Sequence, residues 1–182
     1  RELQRISAIT KLTLRWSREN LQKPEYGSVP ALIQDVLRMY AGKIKNGRVT
    51  IILQNHADVP VYGTLDQITQ VLANLLSNAL QAVPAGGRVW LNYTADTDAT
   101  EIVVRDEGHG MSEETFRNLF QPFYSTKGDL GNGLGLYISR EIVERHHGTI
   151  TVTSEIGKGT AVTLYLPIPP PAQNKFETTN NP

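Results

Sequence analysis

The sequence predicts an α+β domain, a two-layer sandwich in which helices cover one face of a mixed, mostly antiparallel sheet. Segments with strand and helix character are interspersed without strict alternation, which favours this class. Residues 88–95 and 100–105 are rich in strand-forming side chains and predict a hairpin across a short turn. Apolar residues make up 40% of the 182 residues and charged residues 20%, as expected of a globular domain with a core.

Composition excludes several other kinds of protein. The chain has no cysteine, so disulfides and thiolate metal sites are excluded. Its 18 basic and 18 acidic residues cancel, which argues against a nucleic-acid-binding protein. No apolar stretch approaches the ~20 residues of a membrane span. Because residue 1 is Arg, we expect the chain to be a fragment or a processed product.

The first 27 residues predict a helix and a linker. Within residues 1–20, apolar side chains recur every three or four positions in a narrow stripe, which is typical of a coiled-coil or bundle seam and predicts a partner helix. These side chains are Leu3, Ile6, Ile9, Leu12 and Trp16. Residues 21–27 contain a proline and a glycine and predict a linker.

Two longer helices with a strand between them are expected next. The first begins at Ser28, a candidate cap, and runs to about residue 43, followed by a strand over 48–54. The second begins at Thr64, which has capping-box spacing to Gln67. It ends before Pro84, which opens a proline- and glycine-rich stop.

The remaining elements complete the predicted sheet after the hairpin. A short helix should follow Ser112, and a longer one should follow a glycine-rich stretch and run to about residue 147. Strands are expected over 149–155 and 160–166, on either side of a glycine turn. Residues 168–182 are rich in proline and polar side chains and predict a disordered tail.

The helix that begins at Thr64 carries the most informative pattern. No side chain in 68–87 is charged, although a surface helix normally carries Lys and Glu. Its polar face consists of amides at i, i+4 and i+7, which are Asn74, Asn78 and Gln81. An Asn carbonyl oxygen can bind a hard cation such as Mg²⁺ that arrives with phosphates. A buried amide pair satisfied by neighbouring backbone would give the same pattern, so both interpretations stay open.

A second pattern, Asp106-Glu107-Gly108-His109-Gly110, follows a predicted strand. A carboxylate at a strand end can accept a hydrogen bond from an exocyclic amine such as that of adenine. Gly108 and Gly110 would let the backbone approach a flat ring. Asp and Gly are also common in ordinary turns, so this motif alone predicts a turn at least as well as a site.

A third pattern, Gly131-Asn132-Gly133-Leu134-Gly135-Leu136, begins the last predicted helix. A glycine-rich helix start presents free N–H groups and a positive dipole end, which suit phosphate. It is not a P-loop, because no Gly-Lys-Ser/Thr follows, and no βαβ unit surrounds it. Before it, residues 120–130 contain two Phe that could act as hinges of a mobile lid, from which Lys127 could reach phosphate. An ordinary surface loop is the alternative.

In this order and combination, the patterns resemble the ATP-binding catalytic domain of two-component sensor histidine kinases, within the gyrase, Hsp90, histidine kinase and MutL superfamily. The resemblance covers residues 28–167 and implies the Bergerat-type ATP-binding fold, which is the two-layer sandwich expected above. The four matching segments are 70–79 for the N box, 106–110 for the G1 box, 120–123 for the F box and 131–136 for the G2 box.

The resemblance implies a role for each matching residue. Asn78 would hold Mg²⁺ against the ATP triphosphate, Asn74 would support it one turn away, and Asp106 would bind the adenine amino group. Thr126 and Lys127 in the lid are candidate phosphate contacts, and Lys127 and Asn74 are the candidate catalytic residues. Close backbone contacts with the nucleotide would come from Gly108, Gly110, Gly131, Gly133, Leu134, Gly135 and Leu136.

Two departures from other members bear on the reaction. Many family members have a basic residue three positions after the metal-binding Asn, where this chain has Gln81, so Lys127 would have to replace that phosphate contact. ATP-hydrolysing relatives place a Glu four residues before that Asn, where this chain has Asn74. An amide cannot take a proton at neutral pH, so water activation is disfavoured and transfer to a better nucleophile is favoured.

The resemblance therefore implies a histidine kinase domain that uses ATP and Mg²⁺ to phosphorylate a His, for relay to an Asp on a response regulator receiver domain. The chain's four histidines, at positions 56, 109, 146 and 147, lack the acidic neighbour and following Pro of the family's phosphoacceptor. Residues 1–20 resemble the second helix of the family's dimerisation hairpin, so the phosphoacceptor helix would precede Arg1 and this fragment should not phosphorylate itself. A homodimeric full-length protein with this domain in the cytoplasm, and an anchor in the inner membrane as one possibility, is also expected.

Two other functions stay open at this point. A serine kinase of the anti-sigma-factor type shares these boxes, although the coiled-coil-like helix in 1–20 counts against it. The other is a non-catalytic module in which the nucleotide orders the lid and gates a protein contact. The departure at Gln81 keeps this second alternative open.

Overall fold

The computed structural model describes residues 23–55, 57–126 and 133–169. The helix predicted within 1–20 lies outside these ranges, as do His56, Lys127, Gly131 and the tail from residue 170 onwards. What was inferred for them stays a prediction.

The elements are, in chain order, β1 (Glu25–Ser28), α1 (Val29–Gly47), β2 (Thr50–Leu53), β3 (Pro60–Gly63), α2 (Leu65–Ala82), β4 (Arg88–Ala95), β5 (Ala99–Asp106), α3 (Glu113–Asn118), α4 (Gly135–Arg145), β6 (Thr149–Glu155) and β7 (Gly159–Pro167).

The main sheet has five strands in the order β2-β4-β5-β7-β6. Strand β2 runs parallel to β4, and each of the other neighbouring pairs is antiparallel. The expected mixed, mostly antiparallel sheet is therefore confirmed. The hairpin of β4 and β5 also forms as expected, with Val89 opposite Asp106 at its open end.

One hydrophobic core joins this sheet to the helices. Buried and less buried positions alternate along β4, where Val89, Leu91 and Tyr93 face inward. Helices α1, α2 and α4 add their apolar sides to the same cluster, with α2 in the middle. Within the described ranges, no helix combines the length and the apolar character needed to cross a bilayer.

A second, two-stranded sheet of β1 and β3 was not predicted. Residues 25–28, which fall partly in the expected linker, pair with residues 60–63 in antiparallel register. Each strand has only four residues, and one contains proline and both contain glycine, so neither shows the period-two pattern of a strand. The Tyr26 ring lies 4.9 Å from that of Tyr62, and the Tyr26 hydroxyl donates a 2.6 Å hydrogen bond to the Pro169 carbonyl.

The helices begin near the expected residues, but two of the expected caps are wrong. Ser28 and Thr64 occupy the N-cap positions of α1 and α2, and neither side chain caps its helix. The Ser28 hydroxyl donates instead to Asp58 at 2.6 Å. By contrast, Ser112 caps α3 by accepting a hydrogen bond from the Thr115 N–H at 3.2 Å.

A distant residue, His146, accepts the hydrogen bond from the Thr64 N–H that the predicted capping box would have satisfied. Its Nε2 atom accepts a 3.0 Å hydrogen bond from the Thr64 N–H. Its Nδ1 atom lies 2.8 Å from the Ile142 carbonyl, so Nδ1 carries the ring proton and donates. A Cβ at Gly63 would lie 2.3 Å from the His146 ring, so only glycine lets the ring approach. The end of α4 is thereby tied to the start of α2.

We expect His146→Ala to lower the free energy of unfolding by about 1–3 kcal/mol, because it leaves the Thr64 N–H without its acceptor. Thr64→Val should change it by no more than about 0.5 kcal/mol, because the hydroxyl does not cap α2. Urea unfolding of both variants measures this difference. A larger loss from Thr64→Val than from His146→Ala would restore the capping-box interpretation.

Candidate functional site

A cavity of about 550 Å³ lies between α2, the C-terminal end of β5, the N-terminal end of β7 and the start of α4. Its polar lining consists of Asn78, Gln81, Asp106, His109, Ser112, Thr115, Tyr124, Ser125, Thr126 and Thr160. Its apolar lining includes Leu75, Ala79, Val104, Met111, Leu119, Leu134, Leu136, Ile156 and Val162. None of the described lining residues is a Lys or an Arg. An apolar cleft with a few convergent polar groups is typical of a small-molecule site.

Asp106 is the buried acid of the cavity. It ends β5 and is only 5% exposed, and its Oδ1 atom accepts a 2.8 Å hydrogen bond from the Gly108 N–H. Burial raises the pKa of Asp106, and backbone hydrogen bonds from Gly108 and Thr160 together with the electrostatic effect of His109 oppose that rise. The result is a poorly solvated acceptor facing the cavity, which suits an N–H donor of a ligand.

The glycines after Asp106 are required by contacts within the protein. A Cβ at Gly108 would lie 2.5 Å from the Ala82 carbonyl oxygen at the end of α2. Gly110 has a φ of +67°, and a Cβ there would lie 2.0 Å from the Glu155 carbonyl oxygen. The His109 N–H donates to the Ala82 carbonyl at 3.3 Å, and the Gly157 N–H donates to the His109 carbonyl at 2.9 Å. This segment is therefore clamped between α2 and the β6–β7 turn.

The start of α4 forms the opposite wall. Residues 133–136 all line the cavity, and the first N–H groups of a helix have no partner within the helix. Gly133 has a φ of +61°, and a Cβ there would lie 2.4 Å from the carbonyl carbon of Phe123. Phe123 itself has a φ of +66°, which is strained for an aromatic residue. The glycine therefore allows residue 133 to lie against the Phe123 backbone.

The side-chain amides of α2 lie in two different environments. Asn78 and Gln81 line the cavity, and the Gln81 Nε2 atom donates to the Ser77 hydroxyl at 3.2 Å. Asn74 contacts α4 instead, where its Nδ2 atom lies 3.3 Å from both the Gly135 carbonyl oxygen and the Ser139 hydroxyl. The interpretation as an amide satisfied by its neighbours therefore applies to Asn74, whereas cation binding by Asn78 stays a prediction.

Comparison with known proteins identifies the family of this domain. A sequence profile of the histidine kinase-, DNA gyrase B-, and HSP90-like ATPases matches residues 63–170, more than half of the chain. The chain belongs to this family. Among curated relatives, sporulation kinase E of Bacillus subtilis (strain 168) is 35% identical over 182 residues, 99% of this chain and 24% of that protein. Sporulation kinase B of the same strain is 32% identical over 167 residues, 91% of this chain and 39% of that protein.

Solved structures give the same assignment. The nucleotide-free catalytic domain of the histidine kinase ThkA matches with a TM-score of 0.72 and 28% identity, over 80% of this chain and 96% of that one. ThkA in complex with the response regulator protein TrrA matches with a TM-score of 0.74 and 27% identity, over 91% of this chain and 48% of that one. The domain thus has the fold of a histidine kinase ATP-binding catalytic domain, and the chain spans about a quarter to two-fifths of the two sporulation kinases.

The structure brings most of the predicted site residues of this ATPase-family domain into one cavity. Its lining contains Asn78, Asp106, Gly110, Thr126 and residues 133–136. Two predicted residues contact neighbouring helices, Gly108 against the end of α2 and Asn74 against α4. Lys127 and Gly131 lie outside the described residues, so their phosphate contacts stay predictions.

Sequence reasoning missed the part of the cavity contributed by the last hairpin. Thr160 on β7 pairs directly with Asp106, and Ile156 in the β6–β7 turn lines the rim. The Gly157-Lys158-Gly159 turn was visible in the sequence, but the pairing of β5 with β7 joins residues more than fifty positions apart. A Cβ at Gly159 would lie 2.0 Å from the Asp106 carbonyl oxygen, so this glycine was the available signal.

The raised pKa of Asp106 predicts the sign of a pH dependence. Above the ordinary carboxyl pKa and up to the raised value, the folded state binds more protons at this group than the unfolded state does. The free energy of unfolding of the wild type, minus that of Asp106→Asn, should therefore rise as pH falls from 7 toward 4. Urea unfolding at several pH values measures this difference, and a fall would show that the protein stabilises the carboxylate anion.

Proposed function

We propose that this domain binds Mg·ATP and transfers the γ-phosphate to a histidine on a sensor histidine kinase. The observation that carries the proposal is one cavity with a buried acid, Asp106, in one wall and the open start of α4 in another. Asn78 faces the same space. These three features suit the amine, the phosphates and the metal of a single nucleotide.

The base and the phosphates would be recognised by different chemistry. The exocyclic amine of adenine would donate to the Asp106 carboxylate, and the apolar walls at Leu75 and Val162 would contact the ring. The backbone N–H groups of 133–136 and the α4 dipole would attract the phosphates. Because the described lining contains no Lys or Arg, the negative charge would have to be balanced largely by the backbone, the metal and Lys127.

The residues present fit Mg²⁺ of the kind that arrives with a nucleotide. The described residues contain no group of three or more His, Cys, Asp or Glu that could hold a metal on its own. Asn78 offers a carboxamide oxygen within the cavity, and Mg²⁺ commonly takes one or two protein ligands, substrate phosphates and water. When bound, the ion neutralises charge on the phosphate oxygens.

The chain's own residues favour phosphoryl transfer over hydrolysis. Position 74 carries an amide, which cannot accept a proton from water, and its nitrogen is engaged by α4. In the transfer, a histidine nitrogen forms the new bond to phosphorus, the bond to the β–γ bridging oxygen breaks, and ADP leaves. The chain's four histidines lack the acidic neighbour and following Pro of the family's phosphoacceptor, and His146 also uses both ring nitrogens in hydrogen bonds. The acceptor would therefore be supplied from a separate helix.

The partners follow from the same proposal. ThkA, one of the structural neighbours, has been solved with a response regulator, which supports a receiver domain as the destination of the phosphate. The stripe of apolar residues within 1–20 supports a helical dimer as the source of the phosphoacceptor. An ATP-binding domain on such a dimer would reach the acceptor helix of the same or the other protomer.

Two substitutions should separate base recognition from metal binding. Asp106→Asn should weaken binding of ATP and of adenosine about 10- to 100-fold, because a charge-assisted hydrogen bond is lost. Asn78→Ala should weaken Mg·ATP about tenfold and leave adenosine unchanged. Isothermal titration calorimetry with Mg²⁺ and with EDTA measures both effects.

Met39→Ala is a matched control, because Met39 is 65% exposed on α1 and does not line the cavity. It should bind ATP like the wild type. Wild-type affinity in both Asp106→Asn and Asn78→Ala would reject the assignment of this site.

Phosphate transfer should require an added acceptor helix. The domain alone should bind ATP without labelling itself, whereas a longer chain with the upstream helix should take up label from γ-³²P-ATP. The label should be lost in acid, because phosphohistidine is acid-labile. An acid-stable label would indicate a serine kinase, and nucleotide binding without any label would indicate a non-catalytic module.

A further inference from the structure

A closed hydrogen-bonded network joins α2 to the first turn of α4. Ser139 is fully buried, and its hydroxyl donates to the Gly135 carbonyl at 2.9 Å. The Asn74 Nδ2 atom lies 3.3 Å from that same carbonyl oxygen and 3.3 Å from the Ser139 oxygen. The carbonyl can only accept, so the amide nitrogen must face it, and the two N–H bonds of the amide have one acceptor each.

The network lies directly behind the phosphate-facing wall of the cavity. Gly135 is the first residue of α4, and residues 133–136 line the cavity. A Cβ at Gly135 would be in ordinary contact with the Asn74 side-chain amide, at 3.8 Å, so this side chain packs against Gly135 without strain. The first turn of α4 therefore takes its position from Asn74.

The other end of the same helix pair is also tied. His146 at the end of α4 accepts from the Thr64 N–H at the start of α2, so α4 is joined to α2 at both of its own ends. Asn78 lies one turn beyond Asn74 on α2 and faces the cavity. The distance between the Asn78 carboxamide and the N–H groups of α4 is consequently set by this pair of contacts.

We infer that Asn74 and Ser139 are positioning residues, which hold the first turn of α4 where its N–H groups and the Asn78 oxygen can meet one triphosphate. The inference rests on the proposed function and replaces the catalytic role that the sequence suggested for Asn74. An unpaired buried amide or carbonyl is costly, so removing either side chain should let α4 shift. Binding of the phosphates should weaken, whereas binding of the base at Asp106 should not.

Asn74→Asp separates positioning from metal binding or proton transfer. A carboxylate cannot donate to the Gly135 carbonyl, so positioning predicts that Mg·ATP affinity falls about tenfold and adenosine affinity stays within about twofold. A metal ligand or a general base would be kept or improved by the same substitution. Calorimetric titration with Mg·ATP and with adenosine, together with ATP hydrolysis assays, measures the difference. Tighter Mg·ATP binding or new Mg²⁺-dependent hydrolysis would overturn the inference.

A double-mutant cycle tests whether the two residues act together. Ser139→Ala and Asn74→Ala should each weaken Mg·ATP, and the double variant should lose much less than the two losses combined. Thr69→Val is a matched control, because the Thr69 hydroxyl makes the same kind of bond to the Leu65 carbonyl four residues back, at 2.8 Å, within α2. It should leave nucleotide affinity unchanged.

The ratio of ATP to adenosine affinity keeps the test valid if a variant is partly unfolded, because both constants refer to the same folded fraction. If Asn74→Asp does not fold, the same ratio in Ser139→Ala decides. An unchanged ratio, or fully additive losses in the cycle, would overturn the inference. Failure of the wild type to bind Mg·ATP would instead contradict the proposed function.

Discussion

The absence of charged side chains in α2 beyond its first turn is the constraint on which the rest of the structure depends. A helix with no Lys, Arg, Asp or Glu from residue 68 onwards has no side that favours bulk water, so both sides need cover. One side is covered by the sheet and α1, where Ile68, Val71 and Leu75 are buried. The other side carries the amides and is covered by α4 and the cavity. The site therefore lies where the domain leaves part of this helix face unfilled.

Local sequence patterns were enough to predict the parts of the fold that depend on neighbouring residues. Strands β4 and β6 have the expected bounds, α2 and α3 begin where expected, and α2 ends before Pro84 as expected. The failures involve distant partners. Strands β1 and β3 form only because they meet each other, and the Thr64 N–H is satisfied by His146, 82 residues away. No window of sequence around Thr64 contains that information.

The candidate site shows the same difference between what local sequence patterns predict and what contacts between distant residues determine. Its acid, its amides and its glycine-rich helix start stand in separate motifs, and their order along the chain identified them. The structural role of each residue in these motifs depends on its contacts in the folded domain. Gly108 and Gly110 are needed because the backbones of Ala82 and Glu155 approach them. Asn74 contacts α4, although it lies only one helical turn from Asn78 on the same face of α2. Thr160 came into the site through strand pairing, which no motif in the sequence marked.

The bond from the Tyr26 hydroxyl to the Pro169 carbonyl has a mechanical consequence. It brings together the points at which the chain enters and leaves the domain, so modules on either side would be attached at a common pivot. A unit whose termini are adjacent can be carried between other modules without separating them.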